Sequence, residues 1–159
     1  MMVDGIIDWP KERRGELEHI LQESFEGWYL RHSIKTLGEI EIVKVAVSSG
    51  RPVGLVMLKE LDVNAGYVFY IAVARHARGR GVAGMLLDES VNHFAKDKMN
   101  GIFASLEQDN SISRRLFESR GFSAISFGTL SKMYGHLRAI NMYRAMVVVP
   151  GEMLLYREL

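Results

Sequence analysis

The sequence predicts one α/β domain, of the α+β type, with a mixed and mostly antiparallel twisted sheet and helices on both faces. Apolar residues recur at helical spacing near the N-terminus and again after residue 82. Two β-rich runs are joined by a short turn, and further strand-like runs follow. No repeat, low-complexity tract or linker divides the chain, so we expect one domain over residues 1–159.

The elements are predicted in the order helix, hairpin, strand, loop and helix, strand, helix and further strands. The apolar face of a single first helix, with Pro10 near its start, consists of Leu17, Ile20, Leu21, Phe25 and Trp28. The stretch EIVKVAVSSGRPVGLVMLKE reads as an antiparallel hairpin that turns at residues 48–51. A third strand is expected over residues 66–73.

The second half of the chain begins with a glycine-rich loop and an amphipathic helix that buries Leu87, Val91 and Phe94. GIFASLE, residues 101–107, is typical of a strand. Asn110 can cap a short helix that Gly121 ends. The apolar runs over residues 123–130 and 141–149 indicate more strands.

Composition excludes several classes of protein. Twenty basic and 19 acidic residues give a net charge of +1, which argues against nucleic acid as a partner. No cysteine is present, which excludes disulfides, zinc-thiolate sites and a thiol nucleophile. No run reaches the ~18 to 20 apolar residues of a membrane span, and none near the N-terminus suits a signal peptide. We therefore expect a soluble cytoplasmic protein without a membrane partner.

The loop RHARGRGVAGMLL, residues 75–87, contains the spacing G-x-G-x-x-G at Gly79, Gly81 and Gly84. A dinucleotide fingerprint needs its first glycine directly after the first strand of a βαβ unit, but a hairpin precedes this loop. A nucleoside triphosphate loop needs Lys-Ser/Thr after the glycines, and none is present. An anion site formed by main-chain N–H groups at a helix start remains, with a plain glycine-rich turn as the alternative.

Two motifs in order give a resemblance to the GNAT superfamily of acyl-CoA-dependent N-acyltransferases. RGRGVA, residues 78–83, resembles the pyrophosphate loop Q/R-x-x-G-x-G/A of that family, preceded by YIAV as the fourth strand. LEQDNSISRRLFESRGF, residues 106–122, resembles its second motif, in which an Asn opens a helix that ends in Gly-Phe. The family fold has a V-shaped splay between its fourth and fifth strands, which we expect here.

The resemblance implies a site for acetyl-CoA as cosubstrate and no metal. The backbone of Ile71, Ala72 and Val73 would pair with the pantetheine arm like an added strand, and one N–H there would polarise the thioester carbonyl. The pyrophosphate would be held by Arg78, Gly79, Arg80, Gly81, Val82, Ala83 and Gly84. Asn110 would bond the pantetheine arm or the sulfur end, and Phe117 would belong to the same site.

The sequence differs from the family where proton transfer is expected. Many members have a Tyr acid near the end of the second motif, and Phe117 takes that position. The segment also resembles ribosomal-protein N-terminal acetyltransferases, which carry a Glu base five residues before the Asn, where Ser105 stands here. The candidate replacement groups are Tyr70, Glu107, Tyr134 and His136.

These inferences predict an N-acetyltransferase whose acceptor, a small-molecule amine, a protein N-terminus or a lysine, attacks acetyl-CoA directly in a ternary complex. The alternative is a non-catalytic acyl-CoA-binding regulatory or interaction module, which the residues at positions 105 and 117 favour. Trp28, Tyr29 and Met133 could line an acceptor pocket or pack in the core. The apolar tail MVVVPGEMLLYREL predicts an open sheet edge and a homodimer.

Overall fold

The computed structural model describes residues 1–159, which form a seven-stranded sheet and six α-helices. The strands are β1 (Gly5–Asp8), β2 (Ile42–Ser48), β3 (Arg51–Leu61), β4 (Ala65–Val73), β5 (Gly101–Glu107), β6 (Ser123–Ile125) and β7 (Glu152–Glu158). The α-helices are α1 (Glu18–Ser24), α2 (Gly27–Glu39), α3 (Val82–Lys96), α4 (Ser111–Glu118), α5 (Phe127–Tyr134) and α6 (His136–Met146). Short 3₁₀ helices span Lys11–Leu17 and Arg75–Ala77.

The sheet has the strand order β1-β2-β3-β4-β5-β7-β6. Strands β4 and β5 run parallel, whereas β1–β2, β2–β3, β5–β7 and β6–β7 are antiparallel pairs. The mixed, mostly antiparallel sheet predicted from the sequence is therefore confirmed. Pairing of β4 with β5 ends at Val68 and Ala104, although β5 continues to Glu107. An early end to this pairing is what a splay between the fourth and fifth strands requires.

The chain contains two compact units, and the first consists of residues 1–59 and 70–90. Its hairpin turns at Ser49 and Gly50, both with positive φ, as the tight turn of a two-residue hairpin demands. Gly54 lies where a Cβ atom would be 3.0 Å from a methyl group of Val82 and 3.2 Å from the carbonyl oxygen of Ala72. This close approach fixes the start of α3 on the strands.

The single N-terminal helix predicted from the sequence is wrong, because the region forms a 3₁₀ helix followed by α1 and α2. Phe25 adopts an extended conformation and Gly27 has a φ of +54°, so the helix is interrupted between them. Arg14 is buried, and its guanidinium donates to the carbonyl oxygens of Leu37, Ile40 and Glu41. One cation thus satisfies carbonyl groups that the end of α2 leaves without intrahelical donors.

The second unit consists of residues 60–69 and 91–159. Its buried core is apolar and comprises Leu61, Ala65, Tyr67, Phe103, Leu130, Ala139, Met142, Met146 and Leu154. Strand β7 pairs with β5 along seven residues and with β6 on its other side. The tail therefore supplies an interior strand, and the open edge on which the homodimer prediction depended is not present there.

The strands predicted over residues 123–130 and 141–149 are also wrong beyond the short β6. Ser126 caps α5, because its hydroxyl accepts from the N–H of Thr129 at 3.0 Å. In α6 the buried residues are Ala139, Met142 and Met146, which is helical spacing. Both helices pack their apolar faces into the core of the second unit. No helix in the structure has the length and apolar character to cross a bilayer.

The helix predicted after β5 is confirmed, together with both of its end signals. The side-chain oxygen of Asn110 accepts from the N–H of Ser113 at 3.1 Å. At the other end Gly121 has a φ of +85°, and the N–H of Phe122 donates to the carbonyl of Phe117. These bonds form the glycine-terminated helix end expected from the sequence.

Candidate active site

The glycine-rich loop lies in the first unit, between the end of β4 and the start of α3. Gly79 has a φ of +75° and Gly81 a φ of +79°, a region that side chains disfavour and glycine adopts freely. A Cβ atom at either position would meet no atom within 4 Å. The two glycines are therefore required for the backbone path rather than for packing, and they leave open space beside the chain.

This loop presents a series of main-chain donors. The first N–H groups of a helix have no intrahelical acceptor. At the start of α3, the N–H of Met85 donates to the carbonyl oxygen of Gly81 at 3.0 Å. None of the main-chain N–H groups from Gly79 to Gly84 donates a hydrogen bond in a turn, loop or helix cap. Unpaired N–H groups at a helix N-terminus make an anion site, and the helix dipole adds to it.

The guanidinium of Arg78, which is predicted to bind the pyrophosphate, also makes hydrogen bonds within the first unit. Its guanidinium donates to the carbonyl oxygen of Val73 at 3.1 Å and to that of Glu23 at 2.8 Å. The side chain therefore braces the end of β4 against the end of α1. The exposed side chains of Arg75 and Arg80 remain as cations beside the loop.

A cluster of aromatic side chains and a histidine lies in the same unit. Nδ1 of His32, on α2, and Oη of Tyr70, on β4, form a hydrogen bond of 2.7 Å. The Trp28 ring stacks on His32 with centroids 4.7 Å apart and planes within 6°. Phe25 contacts Tyr70 edge-on, with centroids 5.2 Å apart. Tyr70, one of the predicted proton-transfer candidates, thus has a titratable partner.

The protonation state of His32 follows from its surroundings. Burial is the main cause that lowers the pKa of this imidazole, and the nearby charge of Lys35 lowers the pKa further. Glu39 acts in the opposite direction and raises the pKa, but by less. Because the net shift is downward from an ordinary value of ~6.5, His32 is neutral at pH 7 and can accept a proton.

Comparison with protein families identifies the family of this chain. Residues 4–122 match the model of the acetyltransferase (GNAT) family. The chain belongs to the GNAT acetyltransferase family. It is an acetyl-CoA-dependent N-acetyltransferase, as the glycine loop and the second motif predicted. Family membership thus favours the enzyme over the non-catalytic module.

Solved structures similar to this GNAT protein support the fold. The IAA acetyltransferase from Bacillus cereus ATCC 14579 is 22% identical, with a TM-score of 0.71 over 98% of this chain and 99% of that one. The ribosomal-protein-S18-alanine N-acetyltransferase from Escherichia coli is 14% identical, with a TM-score of 0.72 over 97% and 92%. The paia N-acetyltransferase from Thermoplasma acidophilum, in complex with coenzyme A, is 12% identical, with a TM-score of 0.72 over the full length of both chains. A search of curated proteins found no match.

Ser105 and Phe117, the positions at which the resemblance implies proton-transfer groups, lie in the second unit. The hydroxyl of Ser105, on β5, is hydrogen-bonded to that of the buried Tyr67 at 2.6 Å. Phe117 is buried in α4 and packs edge-on against Phe122, with centroids 5.1 Å apart. Both side chains are thus engaged within their own unit and offer no base or acid.

The other predicted residues are distributed over both units. Ile71, Ala72 and Val73 form the end of β4 in the first unit. In the second unit, Glu107 is exposed at the end of β5, where it pairs with Glu152 of β7. Burial raises the pKa of Tyr134, so this phenol stays protonated at neutral pH.

Four positions were interpreted incompletely from the sequence. His32 was not selected, although it follows Trp28 by one helical turn, a spacing that places the two on the same face. Trp28 and Met133 are 42% and 43% exposed, so neither is a core residue. His136 is exposed and packs edge-on against Phe127.

Proposed function

We propose that this GNAT enzyme transfers the acetyl group of acetyl-CoA to a primary amine, which attacks directly in a ternary complex. The acceptor class comprises small-molecule amines, protein N-termini and lysine side chains. The observation that carries the proposal is the run of main-chain donors from Gly79 to Gly84 at the start of α3. Such donors suit the diphosphate of coenzyme A.

The fit of the loop to a diphosphate can be argued from magnitudes. A hydrogen bond to a charged group contributes about 1.5 to 3 kcal/mol, whereas the helix dipole contributes about 0.3 to 1 kcal/mol. Several N–H donors therefore outweigh the dipole, and Arg75 and Arg80 add positive charge beside them. A Cβ atom at Gly79 or Gly81 would enter the open space that the phosphate oxygens need.

The end of β4 is proposed to hold the pantetheine arm. Ile71, Ala72 and Val73 have main-chain groups that can pair with the amides of the arm, as an added strand does. The carbonyl of Val73 accepts from Arg78, and β3 is the neighbour of β4 on one side, so we propose that the arm pairs with the remaining main-chain groups that face away from β3. Asn110 and Phe117 are proposed as further residues that bind the cofactor.

The thioester supplies an activated acyl carbon when the cosubstrate is bound. The protein then has to orient the amine, stabilise the developing negative charge on the carbonyl oxygen with a main-chain N–H of β4, and remove a proton from the amine. Tyr70, Glu107 and Tyr134 are the proposed proton-transfer groups. The absence of cysteine from the sequence agrees with direct attack rather than transfer through an enzyme thiol.

The test is a thiol-release assay with acetyl-CoA and a panel of small amines, peptides with free N-termini and peptides whose only amine is lysine. We expect turnover above the uncatalysed rate with one of these three classes. Mass spectrometry of the product locates the added acetyl group on the amine nitrogen. Absence of turnover on all three classes would contradict the proposed function.

A further inference from the structure

The cluster of Phe25, Trp28, His32 and Tyr70 is polar at its centre. Nδ1 of His32 and Oη of Tyr70 are joined by a 2.7 Å hydrogen bond, while Trp28 stacks on one face of the imidazole and Phe25 contacts the Tyr70 ring. The aromatic rings fix the orientation of both polar side chains. A histidine held this way against a tyrosine hydroxyl is arranged for proton transfer along one defined bond.

The position of Tyr70 along β4 relates the pair to the reaction. The glycine loop follows β4, so a cosubstrate with its diphosphate on the loop has its thioester end further back along the strand. If the arm pairs with Ile71 to Val73, the next residue in that direction is Tyr70. Tyr70 therefore stands next to the stretch proposed to bind the arm, on the side on which the thioester would lie.

We propose, resting on the proposed function, that Tyr70 takes a proton from the acceptor amine while it passes its own hydroxyl proton to Nδ1 of His32. The amine N–H bond breaks as a new O–H bond forms on Tyr70, and the old O–H bond breaks as an N–H bond forms on His32. The nitrogen lone pair forms the amide bond, and the C–S electron pair leaves with sulfur. Loss of the imidazolium proton to solvent and protonation of the thiolate restore the starting state.

The charges around His32 suit this role. Lys35 lies on the same helix and disfavours the imidazolium, whereas Glu39 favours it. The group of β4 that faces His32 is the neutral hydroxyl of Tyr70. The neighbouring rings of Phe25 and Trp28 carry no charge. His32 is thus a positioning residue for Tyr70 and the final proton acceptor, and it is neutral before the reaction begins.

The experiment compares kcat across the pH range for the wild type, Tyr70→Phe, His32→Gln and the double variant, with Tyr143→Phe as control. Tyr143 is a half-buried tyrosine of the second unit, so its variant reports the effect of losing a phenol elsewhere. We expect each single variant at the pair to lower kcat by about 10²- to 10⁴-fold. The double variant should be no slower than the singles, because the pair acts as a unit.

The pH profile separates proton transfer from a structural role. The wild-type kcat should fall on the acid side with an inflection below ~6.5, the ordinary value for histidine, because protonation of His32 removes the acceptor. This inflection should be absent in His32→Gln, while the KM for acetyl-CoA stays near that of the wild type. The acceptor amine titrates equally in every variant. The ratio of wild-type kcat to variant kcat at each pH therefore reports the titration of His32.

Three outcomes would overturn the inference. If the wild type turns over, and His32→Gln keeps both the wild-type kcat and the fall of kcat at acid pH, the relay is overturned and the proposed function stands. No turnover by the wild type on any acceptor would overturn both. An NMR titration of the His32 imidazole in the unsubstituted protein is independent of variant folding, and a pKa at or above the ordinary histidine value would also overturn the relay.

Discussion

The two compact units of this enzyme use polar groups differently. All five buried polar or charged residues lie in the first unit, namely Arg14, Ser33, Thr36, Lys44 and Ser90. The same unit holds the glycine loop and the bond between His32 and Tyr70. The second unit is built on an apolar core, and Phe117 and Ser105 occupy the positions at which the resemblance implies proton-transfer groups.

This difference suggests how the chemistry is divided. In the first unit the main-chain donors of the glycine loop are proposed to hold an anion, and the hydrogen-bonded side chains of His32 and Tyr70 are proposed to move a proton. The second unit packs its aromatic rings, and the hydroxyl of Ser105 is bonded to Tyr67. We infer that Tyr70 and His32 of the first unit carry the proton transfer, whereas the second unit contributes an apolar core.

The largest stability effect is expected from Arg14→Ala in the first unit. The change removes a buried cation that three carbonyl groups accept from, and it leaves those groups unsatisfied. The free energy of unfolding should fall by about 3 kcal/mol or more. Denaturant unfolding measures this, with Arg114→Ala as control, because the exposed pair of Arg114 with Glu118 contributes only about 0.3 to 0.5 kcal/mol. Equal losses in both variants would contradict the comparison.

Phe117→Tyr in the second unit places a phenol where the resemblance implies the acid, and we expect no gain in activity. The added hydroxyl enters a buried site beside Phe122, and burying it without a partner costs about 1 to 3 kcal/mol. We expect lower stability and no rise in kcat in the thiol-release assay. Phe127→Tyr, at a half-buried ring, should cost less. A gain in kcat for Phe117→Tyr would contradict this account, because it would show that a group of the second unit can serve in proton transfer.

The smallest effect is expected at the two capped helices of the second unit. Asn110→Ala and Ser126→Ala each remove a side-chain acceptor for a helix N–H, and each should cost about 1 kcal/mol. Only Asn110→Ala should also weaken binding of coenzyme A, because Asn110 is proposed to contact the pantetheine arm. Equal affinity of the two variants would assign Asn110 to capping alone.

Local signals with a specific backbone requirement predicted the structure well. The turn at Ser49 and Gly50, the cap at Asn110 and the helix end at Gly121 were all expected, because each depends on one or two residues. The start of α3 after the glycines follows the same logic. The main-chain part of the candidate site could therefore be predicted from the sequence.

Apolar runs and distant pairs were less predictable. The run over residues 141–149 fits a buried strand as well as a buried helix, and packing of Met142 and Met146 into the core decided for α6. The break at Phe25 depends on tertiary packing rather than on a strong local signal. His32 and Tyr70 are 38 residues apart, so no local pattern connects them. Likewise, the bond of Arg78 to Val73 and Glu23 became evident only from the structure.

The central claim is that main-chain donors of the glycine loop bind the diphosphate of coenzyme A. Calorimetric titration of coenzyme A into the wild type, Gly79→Ala and Gly50→Ala tests it, because both glycines have a φ of +75° and open space around a Cβ atom. The two variants therefore carry the same backbone strain, and only one of them lies in the loop. We predict wild-type affinity for Gly50→Ala and about 10- to 100-fold weaker binding for Gly79→Ala. Equal affinities for the two variants, or no heat of binding with the wild type, would contradict the claim.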